Sequence, residues 1–284
     1  MKIGSLFSGI GGLELGLERA TGGHTVWQVE QDPYARAVLA KHWPQAKRYN
    51  DVEEVGAHNL EPVDLICGGF PCQDISVGGK GAGLNGTRSG LWSEYARIIR
   101  EIRPRFVVVE NVAALLGRGM GTVLGDLAAG GYNAIWDCIP AAAVGAPHRR
   151  DRLFIVAWSQ CESIMANADG EGQLQQSELC REKRGRPCDR CAEMADANGT
   201  RPQRQRRPNE VGQARAQEAS RLFRRSIESA GTWKPEPQLG RVAHGISNRV
   251  DRLRALGNAV VPQVAEVVGR VVMDIDRLAL DGGR

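Results

Sequence analysis

One cysteine of the chain stands where a nucleophile would. The stretch Gly68-Gly69-Phe70-Pro71-Cys72-Gln73-Asp74-Ile75-Ser76 follows an apolar run, Val63–Cys67, that reads as a buried strand. A thiol on a glycine-flanked loop at a strand's carboxyl end is placed to attack a substrate. Cys67, inside the run, and Cys138 read instead as small buried hydrophobes. Glu110 follows a second apolar run, Phe106–Val109. A carboxyl behind such a run is desolvated, which raises its pKa and suits it to share a proton near neutrality. Asn111 beside it could cap a following helix. A third run, Lys2–Phe7, ends in Phe7-Ser8-Gly9-Ile10-Gly11-Gly12. Glycines there let the backbone approach a ligand, and the helix that follows offers its N-terminus to an anionic group. Glu30 ends the next strand, where a carboxylate can take two ribose hydroxyls. A structural turn, a nicotinamide cofactor and a nucleoside ligand all fit this pair of features, and the glycine spacing is shorter than the usual dinucleotide pattern.

The elements that must hold these groups alternate. Strands are expected at Lys2–Phe7, Thr25–Glu30, Val63–Cys67, Phe106–Val109, Tyr132–Ile139 and Leu153–Trp158. Helices are expected at Leu13–Ala20, at Pro33–His42 with proline at its start, and at Ser89–Arg103 up to Pro104. This alternation implies a parallel, doubly wound α/β sheet with ligands at the carboxyl ends of its strands. Near the end, Asn258–Leu280 repeats valine at helical spacing, with Pro262 in the first turn, and suits a helix packed back on the sheet.

Between these parts the composition changes. From Ala166 to Ser220 there is no Phe, Tyr, Trp or Ile, and Val211 is the sole valine. Such a segment builds little core of its own. It also repeats itself, Met165-Ala-Asn-Ala-Asp-Gly170 returning as Met194-Ala-Asp-Ala-Asn-Gly199, which reads as a pair of similar turns. The chain's net charge is +4, from 37 basic and 33 acidic residues. Residues 159–250 hold 16 of the basic and 12 of the acidic ones, so the remainder, 21 of each, is neutral. All the excess positive charge lies in one segment, and arginine outnumbers lysine 31 to 6. Arginine suits bidentate contact with phosphate and guanine, although a GC-rich genome also inflates it. With 284 residues, 42% hydrophobic and 25% charged, the chain is long enough for a full core. No membrane-spanning run is seen, the start Met1-Lys2-Ile3-Gly4 carries no long apolar stretch, and seven cysteines is an odd number. A cytoplasmic, reducing location is expected, without disulfides.

Taken in order, Phe7–Gly12, Pro71-Cys72-Gln73, Gly86-Thr-Arg-Ser-Gly-Leu91, Glu110-Asn111-Val112, His148-Arg-Arg-Asp-Arg152 and Gly257-Asn-Ala-Val-Val-Pro262 resemble the DNA (cytosine-5)-methyltransferase family. The ending Asn248-Arg-Val-Asp-Arg-Leu-Arg-Ala-Leu-Gly-Asn-Ala-Val-Val-Pro262 is most similar to the phage and prophage branch. The resemblance covers about 1–158 and 245–284. It implies a Rossmann-like methyltransferase fold with a mostly parallel sheet, divided as 1–158, an inserted loop-rich target-recognition domain at 159–244, and a returning segment at 245–284.

The resemblance also implies roles. Cys72 attacks cytosine C6, Glu110 holds N3 and the exocyclic amine, and Arg152 supports the base, with Arg150 nearby. S-adenosyl-L-methionine is the expected cofactor. Phe7 would stack on adenine, Glu30 would hold the ribose and Asp51 would meet the adenine amine. Ser8, Gly9, Gly11, Gly12, Pro71 and Leu91 would line the pocket, with Asn258 at the methionine end. The expected partner is double-stranded DNA, bound by a monomer, with a base flipped from the helix. Gln73, Ser76 and Arg88 on the loop after Cys72 are expected DNA contacts, as are Arg201, Arg204, Arg206, Arg207 and Arg224 in the basic segment. A cognate restriction endonuclease would act beside the enzyme without a stable complex. His148 departs from the family's usual glutamine, and the recognition segment lacks the family's common Thr-Leu pair. No metal is expected; Cys161, Cys180, Cys188 and Cys191 are read as free thiols, with a structural zinc as the alternative. Two rival readings stay open. One is a tRNA cytosine-5 methyltransferase, although that branch carries Pro-Cys-Phe-Thr where Pro71-Cys72-Gln73-Asp74 stands here. The other is a catalytically silent DNA-binding regulator.

Overall fold

The computed structural model describes residues 1–71, 90–159, 221–228 and 249–281. In chain order these give β1 (Lys2–Leu6), α1 (Gly12–Thr21), β2 (His24–Val29), α2 (Pro33–His42), β3 (Lys47–Tyr49), β4 (Leu65–Gly68), α3 (Gly90–Ile102) and β5 (Phe106–Asn111). Then come α4 (Leu115–Arg118), α5 (Met120–Ala129), β6 (Tyr132–Ile139), a short 3-10 turn at Ala141–Val144 and β7 (Arg152–Ser159). Helices α6 (221–228), α7 (Arg249–Asn258) and α8 (Pro262–Asp281) complete the described residues.

The strands form one sheet in the order β3-β2-β1-β4-β5-β7-β6. The first five run parallel. β7 is inserted between β5 and β6 and is antiparallel to both, so the sheet is mostly parallel, as the resemblance implied. The reason is the connection. Only a short 3-10 turn separates β6 from β7, so no crossover helix is available to return the chain in the same direction. The order reverses at β1, from which the chain goes outward to β2 and β3 and then back to β4 on the other side. That switch point opens a crevice beyond the strand ends.

Both sheet faces are buried. One is packed by Trp27, Ile66, Tyr95, Ile98 and Val109, the other by Leu17, Phe106, Phe154, Val268 and Val272. The valine-rich α8 covers the second face alongside α1. Contact is close because both helices present glycine there. A methyl group on Gly16 would strike the Pro262 carbonyl and Ala265, and one on Gly269 would press on Ala20. The returning helix expected at Asn258–Leu280 is α8, which begins four residues later, at Pro262; a separate helix, α7, precedes it, and the two part at Ala259–Val261. No described helix is long and apolar enough to cross a membrane.

Candidate active site

At the switch point the described residues enclose a cavity of about 550 Å³. Its walls come from the turn after β1, the ends of β2 and β4, the segment Asn50–Glu53, Leu91 on α3, and α7 with Asn258–Val260. Phe7, Ser8, Gly9, Gly12, Glu30, Asp51, Pro71, Leu91 and Asn258, named above for a cofactor pocket, all line it. Gly11 does not; its φ of 86° starts α1, and a side chain there would meet the Trp43 ring.

The turn after β1 is built for close approach. Phe7, a non-glycine residue, holds φ at 54°, a conformation that costs of order 1 kcal/mol and marks a constrained site. Helix α1 has no side-chain cap, and Gly12 and Leu13 of its first turn face the cavity. Its unpaired amides suit an anionic group such as a carboxylate. Gly12 leaves no room for a side chain, because a Cβ would meet the Val260 carbonyl.

Glu30 is held by backbone. Its Oε2 accepts from the Gly9 amide at 2.7 Å and its Oε1 from the Asp32 amide at 2.8 Å. Both bonds fix the carboxylate at the cavity's edge. Asp51 accepts from the Glu53 amide at 2.9 Å. The loop that carries Asp51 is clamped from α3: Arg97 Nη2 donates to the carbonyls of Val52 at 3.2 Å and Val55 at 2.8 Å. Glu94 and Glu101 in turn hold Arg97, and Glu101 also accepts from the Ala57 amide. Sequence reasoning missed Arg97; its charge pattern with Glu94 and Glu101 on one helix face was the available signal.

Glu110 also lines this cavity. In the antiparallel register it stands opposite Phe154, so Arg152, two residues along β7, lies diagonally across on the same face. Arg152 Nε meets Glu110 Oε1 at 3.0 Å. Burial nevertheless pushes the Glu110 pKa up to about 7, against the pull of Arg152 and Arg150. The carboxyl behaves as the sequence anticipated. Gly69 packs against it, and a side chain there would collide with Glu110 Oε2. Asn111 does not cap a helix, because Ala114 is the N-cap of α4. Its side chain instead accepts from the Val112 amide at 2.9 Å and donates to the Phe70 carbonyl at 3.2 Å. That bond ties the end of β5 to the residues leading into Pro71.

Arg150 takes a different post from Arg152. Its Nη2 donates to the carbonyls of Gly257 and Ala259, each at 2.6 Å. Burial, with Arg152 beside it, presses its pKa down. Glu14, not anticipated from the sequence, is fully buried on α1 and lines the cavity. Burial raises its pKa to about 7; the nearby Ser5 and Ser8 hydroxyls lower it a little, but neither carboxylate oxygen has a hydrogen-bond partner among the described residues. Cys67 is buried, with its thiol pKa raised well above normal by desolvation, and Cys138 is half-buried and raised as well; both behave as packing residues. Arg224 lies exposed on α6.

The remaining expected residues lie outside the described ones. These are Cys72, Gln73, Ser76, Arg88, Arg201, Arg204, Arg206 and Arg207, the two repeated turns, and Cys161, Cys180, Cys188 and Cys191. Among the described residues no cluster of His, Cys, Asp or Glu could hold a metal ion.

The family model for C-5 cytosine-specific DNA methylases matches residues 1–219. The chain belongs to that family. Its methylase-like part is 39% identical over 166 residues to the Type II methyltransferase M2.BsuMI of Bacillus subtilis, covering 55% of this chain and 42% of that one. It is 35% identical over 158 residues to the Type II methyltransferase M.NgoBI of Neisseria gonorrhoeae, covering 54% and 49%. The matched stretch thus spans less than half the length of either relative. Among solved structures, a DNA modification methyltransferase encoded within an E. coli prophage is similar at a TM-score of 0.56 and 18% identity, over 98% of this chain and 99% of that one. A Spodoptera frugiperda DNMT2 mutant gives a TM-score of 0.57 at 18% identity, over 96% and 99%. At such identities these structures establish the fold, a Rossmann-like methyltransferase sheet.

Proposed function

We propose that this methylase-family chain transfers a methyl group from S-adenosyl-L-methionine to C5 of a flipped cytosine in double-stranded DNA. The observation that carries the reading is one cavity lined both by a nucleoside-type group of residues and by a buried carboxyl. Glu30, Asp51 and Phe7 form the first, and Glu110, paired behind it with Arg152, supplies the second. The cavity's volume, about 550 Å³, falls within the range of small-molecule sites. Its donor and acceptor set fits the cofactor: Glu30 offers carboxylate oxygens to ribose hydroxyls, Asp51 to an exocyclic amine, and the α1 N-terminus its amides to a carboxylate. When bound, S-adenosyl-L-methionine supplies an electrophilic methyl group.

The chain's own residues make the base reactive. Cytosine C5 is a poor nucleophile. The Cys72 thiolate adds to C6, the ring becomes an enamine, and C5 gains the electron pair that takes the methyl group. Glu110, carrying its proton, donates to N3 and accepts from the exocyclic amine, which stabilises the charge pushed onto the ring. Arg152 orients that carboxyl. Loss of the C5 proton to a base then expels the Cys72 sulfur and restores the ring. Asn111, through Phe70, steadies the segment that leads to Cys72. A base inside a duplex cannot reach these groups, so flipping is part of the reading.

The excess positive charge of residues 159–250 supports a DNA-facing role for that segment, with Arg201, Arg204, Arg206, Arg207 and Arg224 on phosphates. We read 159–244 as the recognition insert and the enzyme as a cytoplasmic monomer on DNA, serving a restriction–modification system or a prophage. Bisulfite sequencing of a plasmid co-expressed with the protein tests the function. Unconverted cytosines in a fixed sequence context are expected. Full conversion of the plasmid, with methyl transfer to tRNA instead, would refute it.

A further inference from the structure

The loop that joins α7 to α8 carries three neighbours of the cavity, Asn258, Ala259 and Val260. Asn258 is the last residue of α7, and Gly257 precedes it. Carbonyls at a helix C-terminus lack intrahelical partners and carry the negative end of the helix dipole. Here one of them, on Gly257, and the carbonyl of Ala259 just past the helix end converge on one nitrogen of Arg150, each at 2.6 Å. Asn258 lies between them. The guanidinium therefore grips the backbone on both sides of the residue that faces the cavity. The grip is long-range, bridging more than a hundred residues, and it starts from a constrained position. Arg150 holds φ at 41°, in the left-handed region, and its Nε is buried with no partner among the described residues. Arg152, two residues on, turns the other way and pairs with Glu110 at 3.0 Å.

We propose that Arg150 is a positioning residue for the methyl donor rather than for the base: by holding the carbonyls on both sides of Asn258, it sets the wall against which the cofactor's amino-acid end lies. The two arginines then divide the work, Arg152 serving the cytosine side and Arg150 the cofactor side. This rests on the cofactor reading above.

The test is cofactor binding without DNA, where a residue that touches only the base has no effect. Titration calorimetry with S-adenosylhomocysteine should show Arg150→Ala weakened about tenfold or more, the loss of a charged hydrogen-bond pair. Arg152→Ala should stay within about twofold, and Arg150→Lys, keeping a donor, should recover part of the loss. Binding of 5′-methylthioadenosine, which lacks the amino-acid end, should change far less in Arg150→Ala. Hydrogen exchange at Asn258–Val260 should rise in that variant while the sheet stays protected, which separates the local effect from misfolding. Unchanged S-adenosylhomocysteine binding by Arg150→Ala, or an equal loss for both ligands, would overturn the proposal. If the wild-type protein binds neither ligand, the cofactor reading itself falls, and this inference with it.

Discussion

Arg152 and Glu110 meet at 3.0 Å across two antiparallel strands, yet the carboxyl between them keeps a raised pKa of about 7. Desolvation outweighs the ion pair. A carboxyl so placed is protonated for part of the time at neutral pH, which suits donation to a ring nitrogen. The methylation rate at saturating substrate should therefore fall as pH rises through about 7. Glu110→Gln should lower kcat by roughly a hundredfold or more and remove that limb of the pH profile. A wild-type rate that climbs steadily across this range would contradict the role.

Glu14 predicts a stability effect of opposite use. Its pKa is raised by burial from 4.5 to about 7, so between these values the folded chain holds a proton that the unfolded chain has lost. The penalty for ionising Glu14 is absent below the lower value, grows between them and is complete above the higher one. Its upper bound is on the order of 3 kcal/mol. Glu14→Met should raise the Tm at pH 8 and change it little at pH 4.5. Thermal melts at the two values check this; an equal shift at both would show that folding does not raise the Glu14 pKa.

Much of this arrangement was legible in the sequence. The alternating apolar runs placed six strands, and the residues of the expected cofactor set surround one cavity apart from Gly11. What escaped has physical causes. β3 is three residues long and has no apolar run to announce it. The antiparallel insertion of β7 depends on a connection whose length, not composition, decides direction. Glu14 sits at a helical position that a polar residue normally gives to solvent, and only the packing of α1 against the sheet shows it buried. Arg150 and Arg152 share a block of sequence but take different partners, Gly257 and Ala259 for the first and Glu110 for the second, and Arg150 itself is left-handed at φ 41°. The role of Cys72 rests on its place in that order of motifs, since its own residue lies outside the described ones.

Arg97 predicts an effect at a distance. It touches no expected cofactor residue, yet it holds the carbonyls of Val52 and Val55, which follow Asp51 in its loop. Arg97→Met should weaken binding of S-adenosylhomocysteine by about tenfold, and 5′-methylthioadenosine equally, because the adenosine end is affected. That shared loss is the reverse of the pattern expected for Arg150→Ala. Calorimetry with the two ligands distinguishes them, and unchanged affinity would show that the loop holds its place without the clamp.

The central claim is covalent attack by Cys72, and a duplex carrying 5-fluorocytosine at the target tests it most directly. Fluorine cannot leave as the C5 proton does, so the cycle stops with enzyme bound to C6. In the presence of S-adenosyl-L-methionine the wild-type protein should form a complex that survives denaturing electrophoresis, and Cys72→Ser should form none. A denaturation-resistant complex of undiminished yield with Cys72→Ser would contradict the account.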